Sequence, residues 1–238
     1  MGERVGGDVL RAYYRDFGLM TPLPGDTGLA ARGNPRIPSP WRPINTLTAA
    51  YGHGLAVTPL HVAGAAASIA NGGRRITPAV LQDAIHKDAP ALQVLRPGVA
   101  RTINALLRLT VSHGTGANAE AEGLVVGGKT GTAEKPGASG YDGKRLISSF
   151  LGVFPMDDPK YVIMMMLDEP VGTPDTLGYA TGGWVAAPAV REVISRLAAL
   201  EGVKPRAGAP PKMQARMQDM LVHIRKEKEK EGSRLAAY

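Results

Sequence analysis

Two hydrophobic rhythms divide this sequence: a three- to four-residue period as far as about residue 113, and short β-branched runs after residue 122. In the first part, DVLRAYYRDFG (8–18) predicts a short helix with Asp8 as its N-cap and Gly18 after its last turn. Residues 20–43 hold six prolines and three glycines, so an irregular excursion is expected there. Thr58-Pro59 is a good cap and first-turn pair, and Asn71-Gly72-Gly73 is a good stop. Between them HVAGAAASIA is small on all sides, which suits a helix packed closely on several neighbours. PGVARTINALLRLTV (97–111) predicts a third helix with the stripe Val99, Ile103, Leu106, Leu107 and Thr110, and the turn-prone HGTGAN follows it.

In the second part, Gly123–Thr132, Leu146–Phe154 and Tyr161–Asp168 read as strands, the last two joined by PMDDPK as a hairpin. YVIMMML does not alternate, so that strand is expected to be covered on both faces. A helix is expected from about Gly183 to Leu200, carrying Val185, Val193, Ile194 and Leu197 and ending at Gly202. The fold class is therefore α+β, with an antiparallel sheet packed between helices in an α-β-α arrangement. Beyond a KPRAGAPP linker, Met213, Met217, Met220, Leu221 and Ile224 form one stripe of a tail helix over roughly 212–231. That stripe suits docking on the parent domain, a weakly ordered charged helix, or a helix for a partner or membrane surface. The expected division is 1–202 for the body and 203–238 for the basic linker and tail.

Composition narrows the function. The 238 residues are enough for one large domain or two small ones. The formal charge is +7, but residues from Lys204 onward carry a net +5, leaving the body near neutral. With aromatics at only 5%, no basic, aromatic-studded face is expected, which argues against nucleic acid. Zero cysteines remove disulfides, thiol nucleophiles and zinc-thiolate sites. No apolar run resembles a signal peptide. Pro43–Gly73 has no Asp, Glu, Lys or Arg, yet Asn45, Gly52, His53, Gly54 and Pro59 interrupt it, so a buried helix is expected rather than a membrane span.

One segment satisfies two motifs. Gly123–Thr130 fits the P-loop pattern G-x-x-x-x-G-K-[ST], and Val162–Glu169 resembles the strand ending in Asp-Glu of many ATPases. A nucleotide hydrolase needs a helix directly after Thr130 to receive phosphates. The segment GTAEKPGASGYDGKR, with four glycines and a proline, will not form one. The alternative is a strand ending in Lys129-Thr130-Gly131-Thr132. On it Lys129 and Gly131 share one face and Thr130 takes the other. Lysine supplies a fixed charge for a carboxylate, the threonine hydroxyl can bond the same group, and glycine lets a ligand approach the backbone. The Thr132 N–H is then a candidate donor to a developing oxyanion.

The surrounding text sharpens that reading. INTLTAAYGHGLAVTPLHVAGAAASIANGGRRITPAV (44–80), GGKTGTAEKP (127–136), SSFLGVFPMDDPKYVIMMMLDEP (148–170) and GYATGGWVAAPAVREVI (178–194) occur in this order. Together they resemble the C-terminal part of the transpeptidase domain of class B penicillin-binding proteins, and YGHG-x-x-VTPL most resembles the cell-division type, over about residues 8–200. The resemblance implies a serine acyltransferase, a D,D-transpeptidase that cross-links peptidoglycan at the septum, with no cofactor. It implies that Lys129, Thr130 and Gly131 are the third active-site motif, that the Thr132 N–H completes the oxyanion hole, and that a loop from Glu134 to Arg145 borders the cleft. The implied ligands are a stem peptide ending in D-Ala-D-Ala and β-lactams, and division-complex proteins are implied as partners. The implied location is the periplasmic face of the inner membrane, with one N-terminal anchor.

The departure is equally specific. The family requires S-x-x-K and S-x-N beside K-T-G. None of Ser39, Ser68, Ser112, Ser139, Ser148, Ser149, Ser195 and Ser233 has Lys three residues on or Asn two residues on. In the family both motifs precede the helix corresponding to residues 8–18, so the expectation is the back half of a transpeptidase, without nucleophile, base or anchor. A chain of this kind is expected to be inactive alone, and a non-catalytic scaffold that docks division partners is the alternative. Tyr141 and Ser139 are candidates for contact with a peptide. His53 and His61 lack acidic residues at ligand spacing, so no metal is expected. Asp168-Glu169 read as a solvated pair ending a strand, and Asp157-Asp158 as part of a hairpin turn.

Overall fold

Glycine and proline set most element boundaries, as the computed structural model shows for residues 2–23, 33–79, 92–137 and 140–235. The chain divides into two units, Met1–Arg101 and Thr102–Tyr238. The first holds α1 (Gly2–Val5), α2 (Gly7–Asp16), α3 (Pro43–Ala49), α4 (Pro59–Ala70) and the start of α5 (Pro97–His113). α2 begins before Asp8: Gly6, at φ 85°, is its N-cap, and Asp8 instead pairs with Arg11 within the first turns. A left-handed cap is open to glycine without a Cβ clash, which is why it displaces the aspartate. The uncharged stretch contains two helices, α3 and α4, rather than one.

α3 packs on α1 and α2, where the Tyr14 hydroxyl donates to the Ala49 carbonyl and the Trp41 indole N–H donates to Thr46 Oγ1 at 2.8 Å. Burial raises the Tyr14 pKa above its ordinary value. α4 opens on the expected Thr58-Pro59 pair and ends at Asn71. Its small side chains bring Gly64 against Pro78, and the buried Ser68 hydroxyl donates to Gly64 O and accepts from Ile76 N. His61 is buried as part of this cap. Its Nε2 lies 2.9 Å from Thr21 O, which can only accept, so Nε2 carries the proton and Nδ1 accepts from the Thr58 hydroxyl at 2.8 Å.

In the second unit α5 continues and buries Asn104, Ala105, Arg108, Leu109 and Val111, whereas Leu106 of the expected stripe is 43% exposed. The burial of Arg108 reverses that expectation. Its guanidinium makes two hydrogen bonds to the Glu120 carboxylate and a third to Val126 O, so a charge occupies the inner face.

β1 (Gly127–Gly137), β2 (Gly140–Phe154) and β3 (Tyr161–Asp168) form an antiparallel sheet in the order β1-β2-β3. The loop expected from Glu134 to Arg145 is strand where the structure describes it. Residues 134–137 and 140–145 are strand, pairing Lys135 with Asp142 and Gly137 with Gly140 after a bulge at Glu134/Lys135. Pro136 is tolerated because β1 has no strand on its other edge among the described residues.

α6 (Gly182–Leu200) lies on one face of the sheet. Ala186, Ala187, Val190, Ile194 and Ala198 meet Phe150 and Phe154 there, and Val193 points outward instead of inward. On β3, Ile163, Met165 and Leu167 join this core, while Met166 is 47% exposed. The strand is thus covered more on one face than the other, and the unbroken apolar run concealed an alternating burial. α7 (Pro211–Leu235) follows the linker. Met217 is buried, Arg216 donates to Thr102 Oγ1 at 3.0 Å, and Ile224 is exposed. Among the described residues no helix is long and apolar enough to cross a membrane.

Candidate active site

Lys129, Thr130, Gly131 and Thr132 lie on the middle of β1, opposite Leu151, Phe150, Ser149 and Ser148 of β2. Strand alternation sends Thr130 and Thr132 to the α6 face. There Thr132 Oγ1 accepts the backbone N–H of Gly182, the first residue of α6, at 3.1 Å. The buried Ser148 hydroxyl, paired across the ladder from Thr132, donates to Ala180 O just before that helix. A Cβ on Gly182 would lie 2.2 Å from Ser149 O and 2.5 Å from Gly131 O, so only glycine lets α6 start this close to both strands.

The turn after α5 closes the other side. Thr115 Oγ1 is 3.0 Å from Thr130 Oγ1, and the Asn118 side-chain amide donates to Gly183 O at 2.9 Å. A Cβ on Gly183 would come within 2.3 Å of Thr115 O. The resulting cluster joins two strands, the N-terminus of a long helix and a turn. Two threonine hydroxyls, on Thr115 and Thr130, and the positive end of the helix dipole stand together in it. On the other strand face, the exposed Lys129 ammonium donates to Thr130 O at 2.8 Å.

The remaining candidates have other roles. Lys135 Nζ lies 2.6 Å from Asp168 Oδ1 and 2.8 Å from Glu169 Oε1, so those carboxylates are ion-paired rather than merely solvated. Hydrogen bonds to Asp168 first and Glu169 second raise the Lys135 pKa. The strand after Thr130 contains no helix, and with Asp168 bound to Lys135 the P-loop arrangement is not built. Asp157 accepts from Arg206 at 2.6 Å beside the β2–β3 turn. His53 stacks on Tyr51, and His61 is committed to the α4 cap. Ser139 and the side chain of Tyr141 lie outside the described residues. Among the described residues no group of three or more His, Asp or Glu side chains could hold a metal.

K-T-G-T lies on β1, and the residues that surround it there were not foreseen from the sequence. Thr115, Asn118, Ser148, Gly182 and Gly183 are scattered over the chain, and their signals were the turn HGTGAN and the doubled glycine in GYATGGWV.

An antiparallel sheet with a helix across one face is the fold of the penicillin-binding transpeptidase domains that this chain resembles in structure. The family of the penicillin-binding protein transpeptidase domain matches residues 1–195, and the chain belongs to that family. Among curated relatives, the probable peptidoglycan D,D-transpeptidase FtsI of Caulobacter vibrioides is 36% identical over 222 residues, covering 86% of this chain and 36% of that protein. Stage V sporulation protein D of Bacillus subtilis is 35% identical over 220 residues, covering 87% and 33%. The chain thus spans about a third of the length of these relatives. Among solved structures, the transpeptidase domain of Burkholderia pseudomallei penicillin-binding protein 3 aligns with a TM-score of 0.70 at 32% identity, covering 84% of this chain and 60% of that one. Penicillin-binding protein 3 of Mycobacterium tuberculosis, complexed with ampicillin, aligns with a TM-score of 0.72 at 27% identity, covering 88% and 49%.

Proposed function

We propose that this chain supplies the carboxylate-binding and oxyanion side of a serine acyl-transfer site that cross-links peptidoglycan in septal cell-wall synthesis. The observation that carries the reading is K-T-G on the outer strand of the sheet, with Thr132 hydrogen-bonded to the first residue of α6. Lys129 and Thr130 take the terminal carboxylate of a D-Ala-D-Ala peptide. Gly131 leaves the strand backbone open to it, and the Thr132 N–H faces the oxyanion that forms when serine attacks the carbonyl. The serine is then acylated, the terminal D-Ala leaves, and an amine acceptor takes the acyl group.

S-x-x-K and S-x-N are absent from these 238 residues, so the reading assigns them only the K-T-G side of the site. β-Lactams, which carry a carboxylate beside a strained amide, fit the same site, as the ampicillin complex of the Mycobacterium tuberculosis relative suggests. In this reading residues 1–202 belong to the transpeptidase domain and 203–238 form a linker and tail, at the periplasmic face of the inner membrane. A second reading is a non-catalytic module that docks division proteins. It is favoured by the exposed Val222 and Ile224 on α7.

The test is amide-resolved titration of this chain with N-acetyl-D-Ala-D-Ala. Binding should shift residues 129–132, and Lys129→Ala should weaken it on the order of tenfold, the worth of one charge-assisted contact. Binding that ignores Lys129, or no binding, refutes the reading.

A further inference from the structure

We propose that Thr115 is a positioning residue of the carboxylate site: its hydroxyl donates to Thr130 Oγ1 and so turns the Thr130 hydrogen toward the carboxylate of the bound peptide. The inference rests on the functional reading above and adds to it a residue outside the K-T-G motif.

A threonine hydroxyl has one hydrogen and two lone pairs, and it rotates freely unless a neighbour selects a direction. Thr115 Oγ1 stands 3.0 Å from Thr130 Oγ1, close enough to make that selection. If Thr130 donated to Thr115, it would present a lone pair to the ligand, and a carboxylate would be repelled. If Thr115 donates, the Thr130 hydrogen is free, and the two hydroxyls form a chain polarised toward the anion. A carboxylate only accepts, so its arrival favours the second direction.

Thr115 is also held where this requires. Gly116 N donates to Thr110 O at 3.0 Å and Ala119 N to Gly116 O at 2.9 Å, which closes the turn. Asn118 ties the turn to Gly183 O, and Gly116 packs against the Phe150 ring opposite Thr130. The start of α6 and the Phe150 side chain therefore locate Thr115 relative to Thr130. Thr115 is exposed and Thr130 half-buried, so a ligand can reach the pair.

The test compares this chain with Thr115→Val, Thr115→Ala and Thr115→Ser by amide titration, using N-acetyl-D-Ala-D-Ala and its C-terminal carboxamide. Both hydroxyl-free variants should bind the carboxylate peptide about three- to tenfold more weakly, and the serine variant should stay within about twofold of the parent, the range of one hydrogen bond. Carboxamide binding should fall distinctly less in the hydroxyl-free variants, because a neutral carbonyl accepts the Thr130 hydrogen more weakly than a carboxylate does. Equal carboxylate binding by the parent and both hydroxyl-free variants overturns the proposal. So does equal weakening toward carboxylate and carboxamide, which marks a purely structural contact. Failure of the functional reading looks different: the parent chain does not bind, or binds independently of Lys129, and the proposal falls with it.

Discussion

The backbone N–H of Gly182 donates to the side chain of Thr132, so α6 is capped by a strand residue fifty positions earlier in the chain. Thr181, the residue at the cap position, contributes no side-chain bond of its own. The strand hydroxyl takes over the job that a cap side chain would do. The same bond fixes Thr132 on β1 while leaving its hydroxyl hydrogen free to donate.

Thr132→Val is therefore expected to destabilise the chain by about 1 kcal/mol, the usual worth of a helix cap, while Thr132→Ser retains most of it. Urea midpoints of the two variants check this. Equal midpoints would mean that the Gly182 N–H finds another partner at no cost.

Gly182→Ala places a methyl against two backbone carbonyls, those of Ser149 and Gly131. Neither can move without pulling the ladder, so a loss of about 1–3 kcal/mol is expected. Amide signals of Gly131 and Ser149 should shift with it. An unchanged midpoint would show that α6 can slide away from the strands freely.

Lys135 makes a stability prediction with a definite sign. Its partners Asp168 and Glu169 raise its pKa above the ordinary 10.5. A lysine raised on folding contributes stability that is complete below the ordinary value and fades as pH climbs through the raised one. Lys135→Met should lower the urea midpoint at neutral pH, and the difference should close in strong alkali. A difference that persists there would assign the effect to packing.

Magnesium-ATP is expected to leave the melting temperature unchanged. Residues after Thr130 continue as β1, so no helix N-terminus follows the glycines to receive phosphates. A dose-dependent rise would revive the nucleotide reading.

The two ends of the α7 stripe should behave differently. Met217 is buried and Ile224 is 44% exposed. Met217→Ala should cost about 2 kcal/mol and speed proteolysis in the KPRAGAPP linker, whereas Ile224→Ala should do neither. Equal effects would show that the whole stripe docks.

Much of the fold was legible in the chain. Thr58-Pro59 and Asn71 bound α4, the run Tyr161–Asp168 coincides with β3, and PMDDPK turns the β2–β3 hairpin. These signals are local, because a cap, a turn or a β-branched run acts on its own neighbours. The inner faces of α5 and α6 were misjudged for the opposite reason. Arg108 became a core residue through Glu120 and Val126, and on α6 Val190 and Ile194 face inward because Gly152, having no side chain, leaves them room against β2. The arms of β1 and β2 extend over 134–137 and 140–145 because pairing outweighs the glycines there.

By itself the sequence determined α2, α4, α5, the three strands, α6 and α7 in their order, the K-T-G-T tetrapeptide and the family to which four ordered blocks point, but neither α1 nor α3. Only the tertiary structure decided which side chains support that tetrapeptide. Thr115, Ser148 and Gly182 have no periodic relation to Thr130 or Thr132. They meet because antiparallel register sets Ser148 opposite Thr132, and because glycines at the start of α6 admit the strands and the turn to within a Cβ's width. Contacts of that kind depend on backbone approach in space, which no local pattern along the chain records.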